Sequence, residues 1–412
     1  SCIGLTNQRE TVSLFRGSEP MHRFIVWQDR RTSSFCDQLQ KNEESIIKIA
    51  GTPVDPYFSS SKIRWLLEAL QIEQTSSTMR FRTIDSFLIY QMTGADVMEA
   101  TNASRTSLMD LDSCTWSDEL FEIYGIPRSL APRIIPSQNS ELRTKGLKFL
   151  PDGIPVSACL GDQQAALFGQ CGWNEGSGKI TYGTGSFILL NTGKNSVRSK
   201  SKLVSTLGLQ WQNGEKYFAL EGSVFICGAW IQWLRDGLKM IRSSSDSETL
   251  AKKTKDSGGV FVVPALTGMG APFWKADARG AILGLTRGSS EEHVALASLE
   301  ALAFQNTALI EAMKNDADLK RVEWRVDGGA VSNKLLMQIQ SDALSAKIIR
   351  PKNLEATATG AAFLAAHQQG IMSLKDIEAA WKLDQVFEPG RFSESRQALY
   401  SQWMTTVRRY LH

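Results

Sequence analysis

The sequence is short of the residues that build metal clusters and disulfide frameworks. It has six cysteines and four histidines in 412 residues. Cys2, Cys36, Cys114, Cys159, Cys171 and Cys227 form no C-x-x-C pair. A zinc cluster or a stapled secreted scaffold is therefore excluded, and reduced thiols in an intracellular protein are the plain reading. Charge of one sign is also lacking. Lys plus Arg number 46 and Asp plus Glu 43, a net charge of +3. That balance argues against a nucleic-acid partner, and no like-charged tail or low-complexity tract appears. No apolar run reaches the ~18 residues of a membrane span. The chain opens on Ser1-Cys2-Ile3-Gly4-Leu5-Thr6, which reads as a strand entered partway, with no initiator Met and no targeting pattern.

Several nucleotide motifs are missing too. A phosphate-binding loop G-x-x-x-x-G-K-[ST] fails at Gly178-Lys179, where Trp173 replaces the first glycine and Ile180 the hydroxyl residue. The dinucleotide pattern G-x-G-x-x-G fails at Gly183-Thr184-Gly185 and at Gly268-Met269-Gly270. Neither a G-x-S-x-G elbow nor the protein-kinase set occurs.

What is present is an alternation of short apolar strands and helices, the pattern of layered α/β domains. With 42% hydrophobic residues the chain can bury two cores, and a boundary is expected near Gln170-Cys171-Gly172. Phe24–Trp27 and Pro155–Leu160 read as strands, the latter ending at Gly161-Asp162 with a helix from Gln163. Phe58–Ile72 reads as a helix from the spacing of Ile63, Leu66, Leu67 and Leu70. Ser117 is a candidate N-cap for 118–124, with Gly125 and Pro127 as the stop. A capping box, Ser289 to Glu292, is expected to open a long helix. Strands over 180–182 and 322–326 run into Gly183-Thr184-Gly185-Ser186 and Asp327-Gly328-Gly329, and helices follow over 333–344, 356–367 and 395–411.

Four local features admit two readings each. Asp162 is either an N-cap or a ligand residue at the carboxyl end of a strand. Arg9-Glu10 is either a solvated ion pair or a pair of polar readers for one polyol. Trp27 is either core or the wall of a pocket. The run Asp327–Asn333 is either a tight turn capped by Ser332 or a phosphate turn at a helix start.

A set of stretches in fixed order goes further: GLTNQRET (4–11), VWQDRRT (26–32), DPYFSSSKIRWLL (55–67), TNASRT (101–106), GDQQAALFGQ (161–170), TYGTGSF (181–187), ALEGSV (219–224), IQWLRD (231–236), RGAILGLTRG (279–288) and RVDGGAVSN (325–333). Together they resemble the FGGY carbohydrate kinases, and within them the members that act on glycerol. The resemblance implies two actin-like, ribonuclease-H-like α/β domains, 1–170 and 171–412, flanking a catalytic cleft. It implies transfer of phosphate from ATP to glycerol, with Mg²⁺ held near Asp162 through water and no direct protein ligand to the metal. Asp162 is then the catalytic base. Arg9, Glu10, Trp27, Tyr57, Asp162, Gln163 and Phe187 match glycerol-pocket positions, and Thr184, Gly228, Gln232, Gly329 and Asn333 match nucleotide positions. The family's first phosphate loop lies upstream of the NQRE stretch, so the first domain is expected to be incomplete at its N-terminus. Rival expectations are an FGGY kinase for another polyol or sugar, and a truncated, non-catalytic relative. The resemblance further implies a cytoplasmic homo-oligomer, dimer or tetramer, some animal members being associated with mitochondria, with no nucleic acid and no membrane span.

Overall fold

The computed structural model describes residues 1–411, and the chain divides into two compact units. The first comprises Ser1–Glu175, Asn191–Leu220 and Ala356–Ala380; the second comprises Gly176–Leu190, Glu221–Glu355 and Trp381–His412. Neither unit is contiguous in sequence.

In the first unit the strands Ile3–Asn7 and Val156–Gly161 pair in parallel, and the register puts Asn7 opposite Gly161. Parallel neighbours end on the same side, so the residues that follow each strand are brought together. Val12–Arg16 pairs antiparallel with Met79–Thr83 and with the short Glu19–Pro20. The helix Ser59–Ala69 covers this sheet with Ile63, Leu66 and Leu67, which pack into a core with Val12, Leu14, Phe81 and Leu120. The expected helix is shorter at both ends than its apolar spacing suggested, since Leu70 leaves helical geometry. The strand expected over Phe24–Trp27 does not form. Only Ile25 bridges to Val12, and the chain then turns to present Trp27 and Asp29.

The helices Asp162–Gly169 and Ala356–Gln368 lie in close contact. Small residues make this approach possible. A Cβ on Gly360 would enter the carbonyl group of Ala165, and one on Gly169 would enter that of Ala356. Gly4 meets the same helix from the strand below, where a Cβ would strike the carbonyl of Ala361.

The second unit is built on Ser177–Tyr182, antiparallel to Ser186–Gly193 and parallel to Glu323–Asp327. Ile348–Pro351 follows in parallel and Leu383–Phe387 antiparallel. The alanine-rich helix Glu291–Ala317 is buried continuously from Ala295 to Ile310, its polar Ser298, Glu300, Gln305, Asn306 and Thr307 included. Its capping box lies one residue beyond the expected place: Ser290 is the N-cap and His293 the reciprocal partner. Ser289 instead accepts the Thr286 N–H at 2.9 Å. The cap of Lys334–Leu344 is Asn333, whose Oδ1 accepts the Leu336 N–H at 2.9 Å, rather than Ser332. Elsewhere the sequence cues hold: Ser117 caps Asp118–Tyr124, and Gly125 closes it in the left-handed region. No helix of the described residues is long and apolar enough to cross a membrane.

Because the approach of the two helices leaves no room for a methyl group, Gly360→Ala is expected to lose about 2–3 kcal/mol in urea unfolding. Ala358→Ser, at an exposed position of the same helix, should stay within about 0.5 kcal/mol of the parent.

Candidate active site

The carboxyl ends of the paired strands carry the polar residues of the first unit. After Asn7 the chain makes a tight reversal: the Thr11 N–H donates to the Arg9 carbonyl at 2.7 Å, across Glu10 at φ 60°. This is a γ-turn of left-handed sense, costly for a residue with a side chain. It turns the Glu10 carboxylate inward, where it is 2% exposed.

Two arginines meet this carboxylate. Arg105 Nε lies 2.6 Å from Glu10 Oε1, and Arg9 Nε lies 3.8 Å from the same oxygen. Arg9 Nε also lies 3.2 Å from Asp162 Oδ1, while its Nη1 donates to Gln164 Oε1 at 3.1 Å. Arg9 thus joins the two strand ends. Asp162 is the first residue of its helix, one earlier than expected, and Gly161 is the N-cap. Asp162 Oδ1 accepts the Gln163 N–H at 2.8 Å, and Oδ2 lies 3.3 Å from Gln163 Nε2. Its side chain remains 34% exposed, unlike the buried Arg9 and Glu10.

An aromatic group borders these charges. Trp27 and Tyr57 meet edge to face at 5.6 Å, and Tyr57 meets Phe58 at 5.3 Å. The Arg105 guanidinium lies 5.7 Å from the Tyr57 ring centre and 5.5 Å from that of Phe58. The loop bearing Tyr57 and Phe58 is held from below by Lys62. This fully buried ammonium donates to the carbonyls of Pro56, Tyr57 (2.7 Å) and Phe58 (3.2 Å). Burial lowers the Lys62 amine and the charge of Glu10 offsets part of that effect, leaving it at about 8.

The structure therefore gathers Arg9, Glu10, Trp27, Tyr57, Asp162 and Gln163 in the first unit, while Phe187 lies in the second, on the strand opposite Thr181. Arg105, Lys62 and Gln164 were not singled out from sequence, although each lies within a quoted stretch. Their roles arise from contacts across the fold, and a lone basic residue in a string carries no such signal.

The five positions that the resemblance assigns to the nucleotide all lie in the second unit. Thr181 pairs with Asp327, so the turns that follow these two strands are neighbours. Gly328, at φ 92°, packs its α-carbon against the Tyr182 backbone. The Gly183–Ser186 turn is stitched to the start of the helix Gly228–Asp236. Cys227 N–H and Ala229 N–H donate to Thr184 O at 2.8 and 3.0 Å, and Gly228 N–H donates to Gly183 O at 3.0 Å. Gly228 has no alternative there, since a Cβ would meet Gly183 O at 2.6 Å. Gln232 is exposed one turn along this helix. Gly329 opens a short 3₁₀ turn with nothing within 4 Å of where a Cβ would stand, and Asn333 closes it as the cap of the next helix. Glycine turns and helix starts are suited to phosphate oxygens, so these residues fit a nucleotide. Among the described residues no group of three or more His, Cys, Asp or Glu could hold a metal ion.

Two outcomes follow from the first unit. Arg105→Met leaves the Glu10 carboxylate buried with its nearest cation removed, and should lower stability by about 3 kcal/mol or more in urea unfolding. For Lys62 the folded value lies below the ordinary 10.5. Between about 8 and 10.5 the unfolded chain binds a proton that the folded chain does not. The stability of the parent relative to Lys62→Met should therefore rise with pH across that window, as read by unfolding of both proteins at each pH.

Residues 1–169 match the model of the N-terminal domain of the FGGY family of carbohydrate kinases, and residues 178–369 match that of its C-terminal domain. The chain is 46% identical to a glycerol kinase of Bdellovibrio bacteriovorus, over 99% of this chain and 84% of that protein. It is also 46% identical to a glycerol kinase of Thermococcus gammatolerans, over 99% of this chain and 83% of that protein. The structure is similar to that of Plasmodium falciparum glycerol kinase with ADP: TM-score 0.95 and 34% identity, covering 100% of this chain and 84% of that one. A xylulose kinase of Lactobacillus acidophilus shares the fold at TM-score 0.88 and 20% identity, over 99% of this chain and 84% of that one. The fold is thus the actin-like, ribonuclease-H-like α/β class, and the chain belongs to the FGGY family of carbohydrate kinases.

Proposed function

We propose that this protein transfers the γ-phosphoryl group of ATP to a terminal hydroxyl of glycerol, giving sn-glycerol 3-phosphate and ADP. The observation that carries the reading is the convergence of Arg9, Glu10 and Asp162 on one pair of strand ends, in a chain 46% identical to glycerol kinases over nearly its whole length.

Glycerol offers three hydroxyls on a thin carbon chain. Arg9 supplies N–H donors, Glu10 and Asp162 supply acceptors, and Gln163 supplies both. Trp27 and Tyr57 wall the carbons, and Phe187 is assigned to the same pocket by family likeness. Such polar readout rejects substrates that lack the matching hydroxyl. Asp162 acts as general base: its carboxylate accepts the hydroxyl proton as the new O–P bond forms and the bond to the β-phosphate bridging oxygen breaks, with ADP as leaving group. Arg9, 3.2 Å from Asp162, fixes the carboxylate before transfer.

Thr184, Gly228, Gln232, Gly329 and Asn333 hold the nucleotide, the glycine turns approaching the phosphates and the two helix starts facing their charge. Bound with the nucleotide, Mg²⁺ would supply charge neutralisation at the phosphate oxygens, and Asp162 is the residue that would hold it, through water. In this reading the polyol contacts come from residues 1–170 together with Phe187, the nucleotide contacts come from 171–412, and the protein is a cytoplasmic homo-oligomer.

Asp162→Asn should lower kcat by at least about 100-fold in a coupled ADP-release assay. Glycerol affinity, followed by titration calorimetry, should change by less than about tenfold, since the amide keeps one acceptor oxygen. Retained turnover would remove Asp162 from the role of base. Preference for a five- or six-carbon sugar in a substrate panel would replace glycerol as the substrate.

A further inference from the structure

Beneath the strand ends lies a carboxylate that the mechanism does not use. Glu99 is 0% exposed and ends the short strand Val97–Glu99, directly before the four-residue helix Ala100–Ala103. Five donors converge on it. Oε1 accepts the Thr101 N–H at 2.8 Å and the Ser137 hydroxyl at 2.6 Å. Oε2 accepts the Thr101 hydroxyl at 2.6 Å, the Asn102 N–H at 3.0 Å and the Asn102 side-chain amide at 3.0 Å.

Two of these donors reach onward to the site. The Thr101 hydroxyl, while donating to Glu99, accepts the Gly161 N–H at 3.0 Å, and Gly161 immediately precedes Asp162. Asn102 Oδ1 accepts the Asn7 side-chain amide at 2.8 Å, and Asn7 stands two residues before Arg9. Asn7 and Gly161 are partners in the parallel pair. One buried carboxylate therefore grips both members of the last rung, through two arms that each pass a single side chain. A third tie anchors the hub: the Glu99 N–H donates to the buried Asp85 at 2.9 Å.

A helix of one turn does not call for so elaborate a cap. A serine or aspartate at its start would satisfy the first N–H groups, whereas burying a glutamate carries a desolvation cost that pushes its carboxyl up to about 7. The extra hydrogen bonds run to the two strand ends, and that is where their effect is felt.

We infer that Glu99 is a positioning residue for phosphoryl transfer: through Thr101 to Gly161 and through Asn102 to Asn7, it fixes the terminal strand pair and hence the placement of Asp162 against Arg9. The inference rests on the proposed activity, and it concerns the chemical step rather than nucleotide binding.

Steady-state kinetics with glycerol and ATP on the full chain test it, using Thr101→Val, Thr101→Ser and Glu99→Gln. Valine keeps the shape of Thr101 and removes both of its hydroxyl bonds. T101V and E99Q should lower kcat about 10- to 100-fold, the scale of a small misplacement of a reacting group, with the KM for ATP within about twofold. T101S, which restores the hydroxyl, should recover kcat to within a few-fold of the parent. A kcat within threefold of the parent for T101V would overturn the inference, as would T101S failing to recover it. If the parent itself does not turn over glycerol, the proposed activity fails and hydrogen exchange of the Gly161 amide decides the positioning. Faster exchange in T101V and E99Q than in the parent and T101S supports it; unchanged exchange overturns it. Should E99Q not fold, T101V and T101S carry the test alone, because the carboxylate stays in place in both.

Discussion

The register of one parallel strand pair governs the first unit. Asn7 faces Gly161, and both strands end there. Parallel strands deliver their carboxyl ends to the same side, the place where open α/β sheets hold ligands. Had the register slipped by one residue, every side chain of one strand would face the other way and the following residues would no longer meet. The ladder is supported from one side by the helix Ala356–Gln368, which comes close only because Gly4, Gly169, Gly360 and their alanine neighbours are small. The glycines are thus remote from the chemistry yet decide whether Arg9 and Asp162 are neighbours.

The charges at those ends are arranged for rigidity. Arg9 bonds to groups from both strand ends and is buried, so its guanidinium has little freedom. Glu10 is held by Arg105 and by a backbone turn that few residues adopt. Strain of this kind survives where surrounding contacts over-determine the conformation. Here they do so through the Arg105 ion pair and the Ser59 hydroxyl, which donates to the Glu10 carbonyl at 2.9 Å. Such fixed charges cost folding energy, and they avoid reorganisation when a hydroxyl substrate arrives.

Much of this arrangement was legible in the sequence where the signal is local. Ser117 and Gly125 bracket their helix, and Val156–Gly161 runs into a helix as its apolar run and glycine imply. The ordered stretches pointed to candidate residues that no single motif could, and Arg9, Glu10, Trp27, Tyr57, Asp162 and Gln163 all fall in the first unit. Local signals failed where two neighbours compete for one role: Ser290 displaced Ser289, and Asn333 displaced Ser332. Phe24–Trp27 has strand composition, but beyond the Ile25 bridge it has no partner strand, and composition does not report pairing. The hidden layer is the one made by distance in sequence. Arg105 meets Glu10 and Thr101 meets Gly161 across 95 and 60 residues, and the reversal at Glu10 has no glycine to announce it.

Asp162 is the residue for which sequence leaves two readings open. As a helix cap it would spend its carboxylate on the N–H groups of the first turn. Gly161 occupies the cap position instead, and Asp162 accepts only from its immediate neighbour Gln163 within that turn. Its other contact is with Arg9, from a different strand, and a third of its side chain stays open to solvent. A carboxylate fixed by an arginine at a strand end, and accessible, is what a proton acceptor for a bound hydroxyl requires. The local geometry suits the role of base proposed for Asp162.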